Sequence, residues 1–159
     1  MKLAPKPLYQ EDLEIMNAKH VLWLYEQPGG ERADFTNREL RELNLFHMNF
    51  KHAIFAGAAL EDCCLDEGNF TNCDFTGASL RNNLAVNAEF NGVRFEDAVI
   101  ENCNFQTAWC MRMGLEGAQF TSSDFTGADT EDTDFSQAEL VGCEGLEDIA
   151  QGPAMTMGG

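Results

Sequence analysis

The side chains best suited to chemistry are few: three histidines, His20, His47 and His52, and six cysteines in a chain of 159 residues. A Ser/His/Asp relay needs a base held between a nucleophile and an orienting carboxylate, and the histidines offer no such arrangement. Zinc sites are commonly carried by closely spaced CxxC pairs, and none occurs; Cys63, Cys103 and Cys143 instead recur at intervals of 40 residues. Isolated glycines (Gly57, Gly77, Gly92, Gly117, Gly127) form neither a GxGxxG nor a Walker pattern that could cradle a phosphate. No cluster of Lys and Arg marks a surface for direct nucleic-acid contact. The expectation is a protein that is not an enzyme, with no cofactor and no metal, whose cysteines are reduced core residues.

Something other than a catalytic centre must therefore organise the chain. A length of 159 residues allows one ordinary domain, and 44% hydrophobic residues separate it from disordered chains despite a net charge of −17. Charge and core must then be segregated by position. No apolar run approaches the ~18 residues that cross a bilayer, so no membrane partner is expected. Met1 to Leu24 carries Glu11, Asp12 and Glu14 where a signal peptide would be apolar, and the expected location is cytoplasmic.

The segregation has a period of five. From Phe35 in steps of five come Leu40, Leu45, Phe50, Phe55, Leu60 and so on to Leu140, with large apolar residues in 19 of 22 places. The exceptions are Ala85, Cys110 and Thr130. Two residues before each centre, small side chains recur, among them Ala53, Ala58, Cys63, Cys73, Ala78, Ala98 and Cys103. Five fits neither the 3.6-residue helical period nor the strand period of two, so the chain must turn once per repeat. If each pentapeptide forms one side of a square coil, the centre and the small residue point inward and the other three positions face water. Four sides make 20 residues, and residues i and i+20 stack at about the 4.8 Å spacing of parallel strands. Phe35, Phe55, Phe75 and Phe95 then form one column, and Leu40, Leu60, Leu80 and Ile100 the next.

Segments such as Ala33-Asp34-Phe35-Thr36-Asn37 and Cys73-Asp74-Phe75-Thr76-Gly77 resemble the A(D/N)LXX pattern of pentapeptide-repeat proteins. The resemblance runs from residue 33 to 143 without an insertion, about 70% of the chain. It implies an all-β solenoid, a right-handed quadrilateral parallel β-helix of about 5.5 coils; a right hand is also what crossovers between parallel strands favour. Residues 1–32 are expected to form a lead-in with a helical cap over residues 11 to 26. There Leu13, Met16, His20 and Leu24 keep helical spacing, and Pro28-Gly29-Gly30 ends the helix. This lead-in is similar to that of small phage and bacterial members of the family. Residues 144–159 are expected to close the far end through Glu147 to Ala150 and to finish in a loose tail from Gln151 to Gly159.

Within residues 33–143 stand 19 acidic and 6 basic side chains, a net of −13. The position before each centre favours Asp or Asn in the family, which gives Asp34, Glu39, Asp74, Glu89, Asp124, Asp129, Asp134 and Glu139 a structural reading. Arg41, Glu61, Arg81 and Glu101 share a column and should neutralise one another. The doublets Glu61-Asp62, Asp66-Glu67, Glu96-Asp97 and Glu131-Asp132, with Asp124, are the acidic contact surface expected on this view. A rod of ~26 Å compares with B-DNA of that length carrying roughly 15 phosphates. The resemblance extends to family members that protect DNA gyrase from fluoroquinolones and are interpreted as DNA mimics. It implies a protein partner with a basic groove, such as gyrase or another topoisomerase, a nuclease or a defence enzyme. This chain is shorter than they are and has neither their inserted loop nor a clear C-terminal dimerisation element.

A different class of function would use apolar residues at outward positions: Phe46, Ile54, Leu84, Val86, Val99, Trp109, Met111 and Val141. Leu84 and Val86 flank small Ala85, and Trp109 and Met111 flank small Cys110. Either the register slips there and buries Leu84 or Trp109, or Leu84, Val86, Trp109 and Met111 form an exposed patch for a scaffold partner or a homodimer. A third alternative has the N-terminal segment act, with the β-helix as spacer.

Overall fold

A turn every five residues needs a backbone conformation that reverses direction at low cost. In the computed structural model, which describes residues 7–147, the second residue after each centre supplies it. Asn37, His47, His52, Asp62, Glu67, Asn72, Asp97 and Asp132 have φ between 57° and 68°, and Gly57 and Gly77 share that left-handed conformation. Asn, Asp and Gly tolerate it best, and they dominate the position.

Between turns the chain is extended and pairs with the coil above. The second side of the square holds the three-residue strands β1 (Glu39–Arg41), β2 (Ala59–Glu61), β3 (Ser79–Arg81), β4 (Val99–Glu101), β5 (Gln119–Thr121) and β6 (Glu139–Val141). They form one parallel six-stranded sheet in sequence order, with Leu40 opposite Leu60, Leu60 opposite Leu80 and Leu80 opposite Ile100. The other three sides are joined by single parallel bridges at the same offset of 20, such as Asp34 to Ile54, Cys64 to Leu84 and Glu89 to Trp109. The expected parallel β-solenoid, with one N-terminal helix, is what the chain forms.

The interior is a set of columns. Phe35, Phe55 and Phe75 stack with ring centroids 4.7 and 4.6 Å apart, and Phe95 follows at 5.4 Å. Phe50, Phe70 and Phe90 line the fourth side and meet the first column edge-on or tilted. The register does not slip where the centre is small. Ala85 and Cys110 are fully buried, while Leu84 and Trp109 are 49% and 46% exposed, so the register-slip alternative is overturned.

One corner differs from the other three. After most centres the backbone closes a turn, as in Arg38 N–H to Phe35 C=O or Ala53 N–H to Phe50 C=O. Between the second and third sides this bond is absent from the described coils, and inward side chains take the carbonyls it would have used. The Cys63, Cys103 and Cys143 thiols donate to the carbonyls of Leu40, Leu80 and Phe120, and Asn83 Nδ2 donates to Leu60 at 2.9 Å. Cys63 N–H in turn donates to Asn83 Oδ1 at 2.8 Å, and Cys103 N–H to Ser123 Oγ at 3.1 Å. Buried polar backbone must be paired, and after Leu43 this column reads Cys, Asn, Cys, Ser, Cys where the corner before it reads Ala throughout from Ala58 to Ala138.

The N-terminal end is closed by α1 (Gln10–Leu24), one residue longer at its start and two shorter at its end than the expected cap. Leu13 and His20 are fully buried and Met16 packs against the core. Its side chains replace a missing coil. Gln10 pairs in both directions with the Asn44 backbone at 2.8 Å, and Asn17 Nδ2 donates to Asn49 C=O at 2.8 Å. His20 accepts from Ala33 N–H at Nδ1 and donates from Nε2 to Lys51 C=O. At the far end Leu146 is buried beneath the last coil. The closure expected from Glu147 to Ala150 and the tail from Gln151 lie, beyond Glu147, outside the described residues.

Candidate interaction surface

Acidic side chains cover the coil unevenly, and many have work within the fold. Asp34, Asp74, Asp124, Asp129 and Asp134 each accept, through Oδ1, the backbone N–H two residues on. This Asx-type bond fixes the extended segment before the turn. Asp34 titrates below the usual carboxylate range because Thr36 donates to it from both side chain and backbone. For Asp124, burial pushes upward, but bonds from Thr126 and Gln106 outweigh it and the net shift is downward. Glu39, Glu89 and Glu139 occupy the same position without such a bond, which corrects their structural reading; Glu39 and Glu139 are exposed and Glu89 is half-buried.

The four doublets do not share a side. Glu61-Asp62 lies on the second, Asp66-Glu67 and Asp124 on the third, Glu96-Asp97 on the first and Glu131-Asp132 on the fourth, as their register with β2 and the bridges requires. Asp62, Asp97 and Asp132, taken from sequence as charge the fold does not need, sit at the left-handed turn position that favours Asp, and Glu67 shares it. Glu61 pairs with Arg41 at 3.8 Å and Glu101 with Arg81 at 3.6 Å, so the expected ladder forms as two separate pairs. Glu96 pairs with Arg94 at 3.5 Å while its Oε1 is buried without a partner. Asp66 Oδ1 accepts from Val86 N–H at 2.8 Å. Glu131 and Asp132 are exposed and enter no ion pair with another described residue.

Charge is distributed instead along the axis. Among the described residues every ion pair lies at or before Glu101, the remaining one joining Lys19 and Glu31. From Met113 to Glu147 stand nine acids, Glu116, Asp124, Asp129, Glu131, Asp132, Asp134, Glu139, Glu144 and Glu147, and no Lys or Arg. Eight are exposed and Asp124 is half-buried. Six of the nine were absent from the sequence-derived contact set. The signal was present as the lack of any cation after Arg112.

The apolar set is exposed in part. Phe46, Val99 and Val141 join Leu84 and Trp109 at 40 to 53% exposure, while Val86 and Met111 are half-buried. Trp109 lies between Glu89 and Asp129 in its column, and Leu84 between Cys64 and Asn104, so charged or polar neighbours interrupt the patch along the axis.

Nothing in the described residues gathers into a metal site, and none of their helices is long and apolar enough to cross a membrane. All six cysteines are unpaired. Burial pushes the Cys63 and Cys103 thiols up to about 11 and Cys110 to about 12, which makes them poor nucleophiles at neutral pH.

The family model for pentapeptide repeats matches in eight copies over residues 31–66, 53–82, 69–106 and 115–144. No curated protein sequence matches the chain. Among solved structures, the chain is similar to QnrB1, a plasmid-mediated fluoroquinolone resistance protein. It is 21% identical to the trypsin-treated R167E form over 75% of this chain and 79% of that one, with a TM-score of 0.45. It is also similar to Rfr23 from the cyanobacterium Cyanothece 51142, at 22% identity over 67% and 63%, with a TM-score of 0.42. HetL, involved in heterocyst differentiation regulation in Nostoc sp. strain PCC 7120, matches at 20% identity over 72% and 62%, with a TM-score of 0.39.

Proposed function

We propose that this chain, which belongs to the pentapeptide repeat family, acts without catalysis as an acidic rod that occupies the DNA-binding groove of a protein. The partner class is a topoisomerase such as DNA gyrase, or a nuclease, whose groove is basic. One observation carries this reading: between Met113 and Glu147 nine carboxylates stand on less than two coils with no cation among them. Those coils span on the order of 10 Å, a length over which B-DNA carries roughly six phosphates. Over the whole repeat the net of −13 on ~26 Å is close to the phosphate density of the duplex. A groove shaped to neutralise phosphates gains the same counter-charge here, and electrostatic steering speeds the encounter at low salt. A cytoplasmic protein partner, rather than nucleic acid or membrane, is the expected target.

Competition tests the proposal. Partners captured on the immobilised chain should be DNA-binding proteins, should be released by rising salt, and should be displaced by duplex DNA at concentrations that saturate their own sites. Capture that duplex DNA never displaces would overturn mimicry.

A second reading is favoured by the exposure of Trp109 and Leu84: an interaction scaffold or homodimer that docks through these residues with Val86 and Met111. It expects salt-insensitive binding.

A further inference from the structure

The first coil has an outer edge of strand backbone, and α1 covers only part of it. On the third and fourth sides Gln10, Asn17 and His20 take the outward groups of Asn44, Asn49 and Lys51. Along β1 no described side chain does so. Ala59 N–H donates to Arg38 C=O and Glu42 N–H to Glu61 C=O, which sets the groups that face β2. Alternation along a strand then turns the N–H and C=O of Glu39 and Arg41 away from the sheet. These groups border an open cleft of about 430 Å³ that residues 7–10, Glu42 and Leu43 also line. Leu8 and Leu43 are buried apolar residues at the cleft, and Glu39 and Glu42 are exposed beside it. Arg41, the one cation among the described residues that line the cleft, is engaged by Glu61.

We infer that this cleft is a β-addition site: it accepts an extended peptide of a partner protein that alternates apolar side chains with Lys or Arg and pairs with Glu39 and Arg41 as a seventh strand. The backbone of an edge strand supplies affinity for any extended chain, and the side chains around it select the sequence. Here the apolar residues would meet Leu8 and Leu43, and the cations Glu39 and Glu42. A second copy of this chain fits poorly, since its own strand end near β6 brings Glu139, Glu144 and Glu147 against Glu39 and Glu42. This site lies at the opposite end of the rod from the acidic coils and does not depend on the DNA-mimic reading.

The probe is a synthetic heptapeptide alternating lysine and leucine, titrated into the full-length chain with amide signals followed by NMR. Its twin is N-methylated at alternate amides, which blocks strand pairing and leaves the charge unchanged. Expected are saturable shifts confined to residues 7–10 and 39–43, slowed amide exchange at Glu39 and Arg41, and binding of the methylated twin weaker by roughly tenfold or more. Glu39→Pro, which removes an outward N–H that the sheet does not use, should weaken the unmodified peptide similarly. Equal binding of the two peptides, shifts centred on residues 113–147, or an absence of saturable binding would each overturn the inference.

Discussion

Each pentapeptide assigns its five residues different tasks, and the tasks differ in how visible they are from sequence. Inward centres were legible because a large apolar residue recurs every five places, and Phe75 shows what the position is worth. It is fully buried, stacked on Phe55 at 4.6 Å and in contact range of Phe70, Phe90 and Phe95. Phe75→Ala should cost about 3 to 5 kcal/mol in chemical denaturation; a loss under about 1 kcal/mol would place the ring outside the core. Asn83 was not legible, because whether a corner keeps its own backbone hydrogen bond leaves no trace in a hydrophobic pattern. Asn83→Ala leaves the buried Cys63 N–H without its partner and removes the side-chain donor that Leu60 C=O accepts in addition to its sheet bond, and should cost about 1 to 3 kcal/mol. The same substitution at Cys103 should cost less, since a thiol is a weak donor. Wild-type stability after Asn83→Ala would show that this corner column is not a hydrogen-bonding device.

At the scale of elements, the helix was readable from Leu13, Met16, His20 and Leu24, but its method of capping was not. Spacing shows which face is apolar; it does not show that Gln10, Asn17 and His20 imitate the backbone of a neighbouring strand. His20 is the most demanding of these. Ala33 N–H donates to Nδ1, so that nitrogen must be unprotonated, and the ring hydrogen sits on Nε2 facing Lys51 C=O. Burial lowers its pKa from 6.5, with Arg32 and His52 nearby adding to the effect and the Lys51 bond opposing it. The unfolded chain therefore binds a proton more readily than the folded one. The stabilisation from His20 is complete above about pH 6.5 and is lost as pH falls from there toward the lowered folded value. Because acidification also relieves repulsion among the carboxylates, the informative quantity is a difference. His20→Phe should be less stable than wild type at pH 7.5, and the gap in melting temperature should narrow toward pH 5.5. A constant gap would mean that His20 does not titrate against the cap.

For the whole molecule, the rod is polarised along its axis, and this was half visible in the sequence. The absence of Lys and Arg after Arg112 could be counted, but its meaning depended on finding every ion pair among the described residues at or before Glu101. The doublets misled because two of them, at Glu61 and Glu96, contain a residue already paired with arginine. Two neutralised variants separate the possibilities. One replaces Glu116, Glu131, Asp132, Glu139 and Glu144, all beyond Arg112, by Gln or Asn; the other replaces Glu61, Asp62, Asp66, Glu67 and Glu96 in the earlier coils. Each removes five charges from non-core positions and keeps every core side chain, so both should fold, with β-rich circular dichroism and a small helical contribution. If the acidic end enters a DNA-binding groove, the first variant should lose the partner by about a hundredfold or more at low salt and show a flatter salt dependence, while the second loses far less. If contact is made through the exposed indole instead, both variants should bind as the parent does, and Trp109→Ala should cost about 2 kcal/mol or more, as anchoring aromatics at interfaces do. Equal weakening by the two variants would show that net charge alone, rather than a site at one end of the rod, attracts the partner.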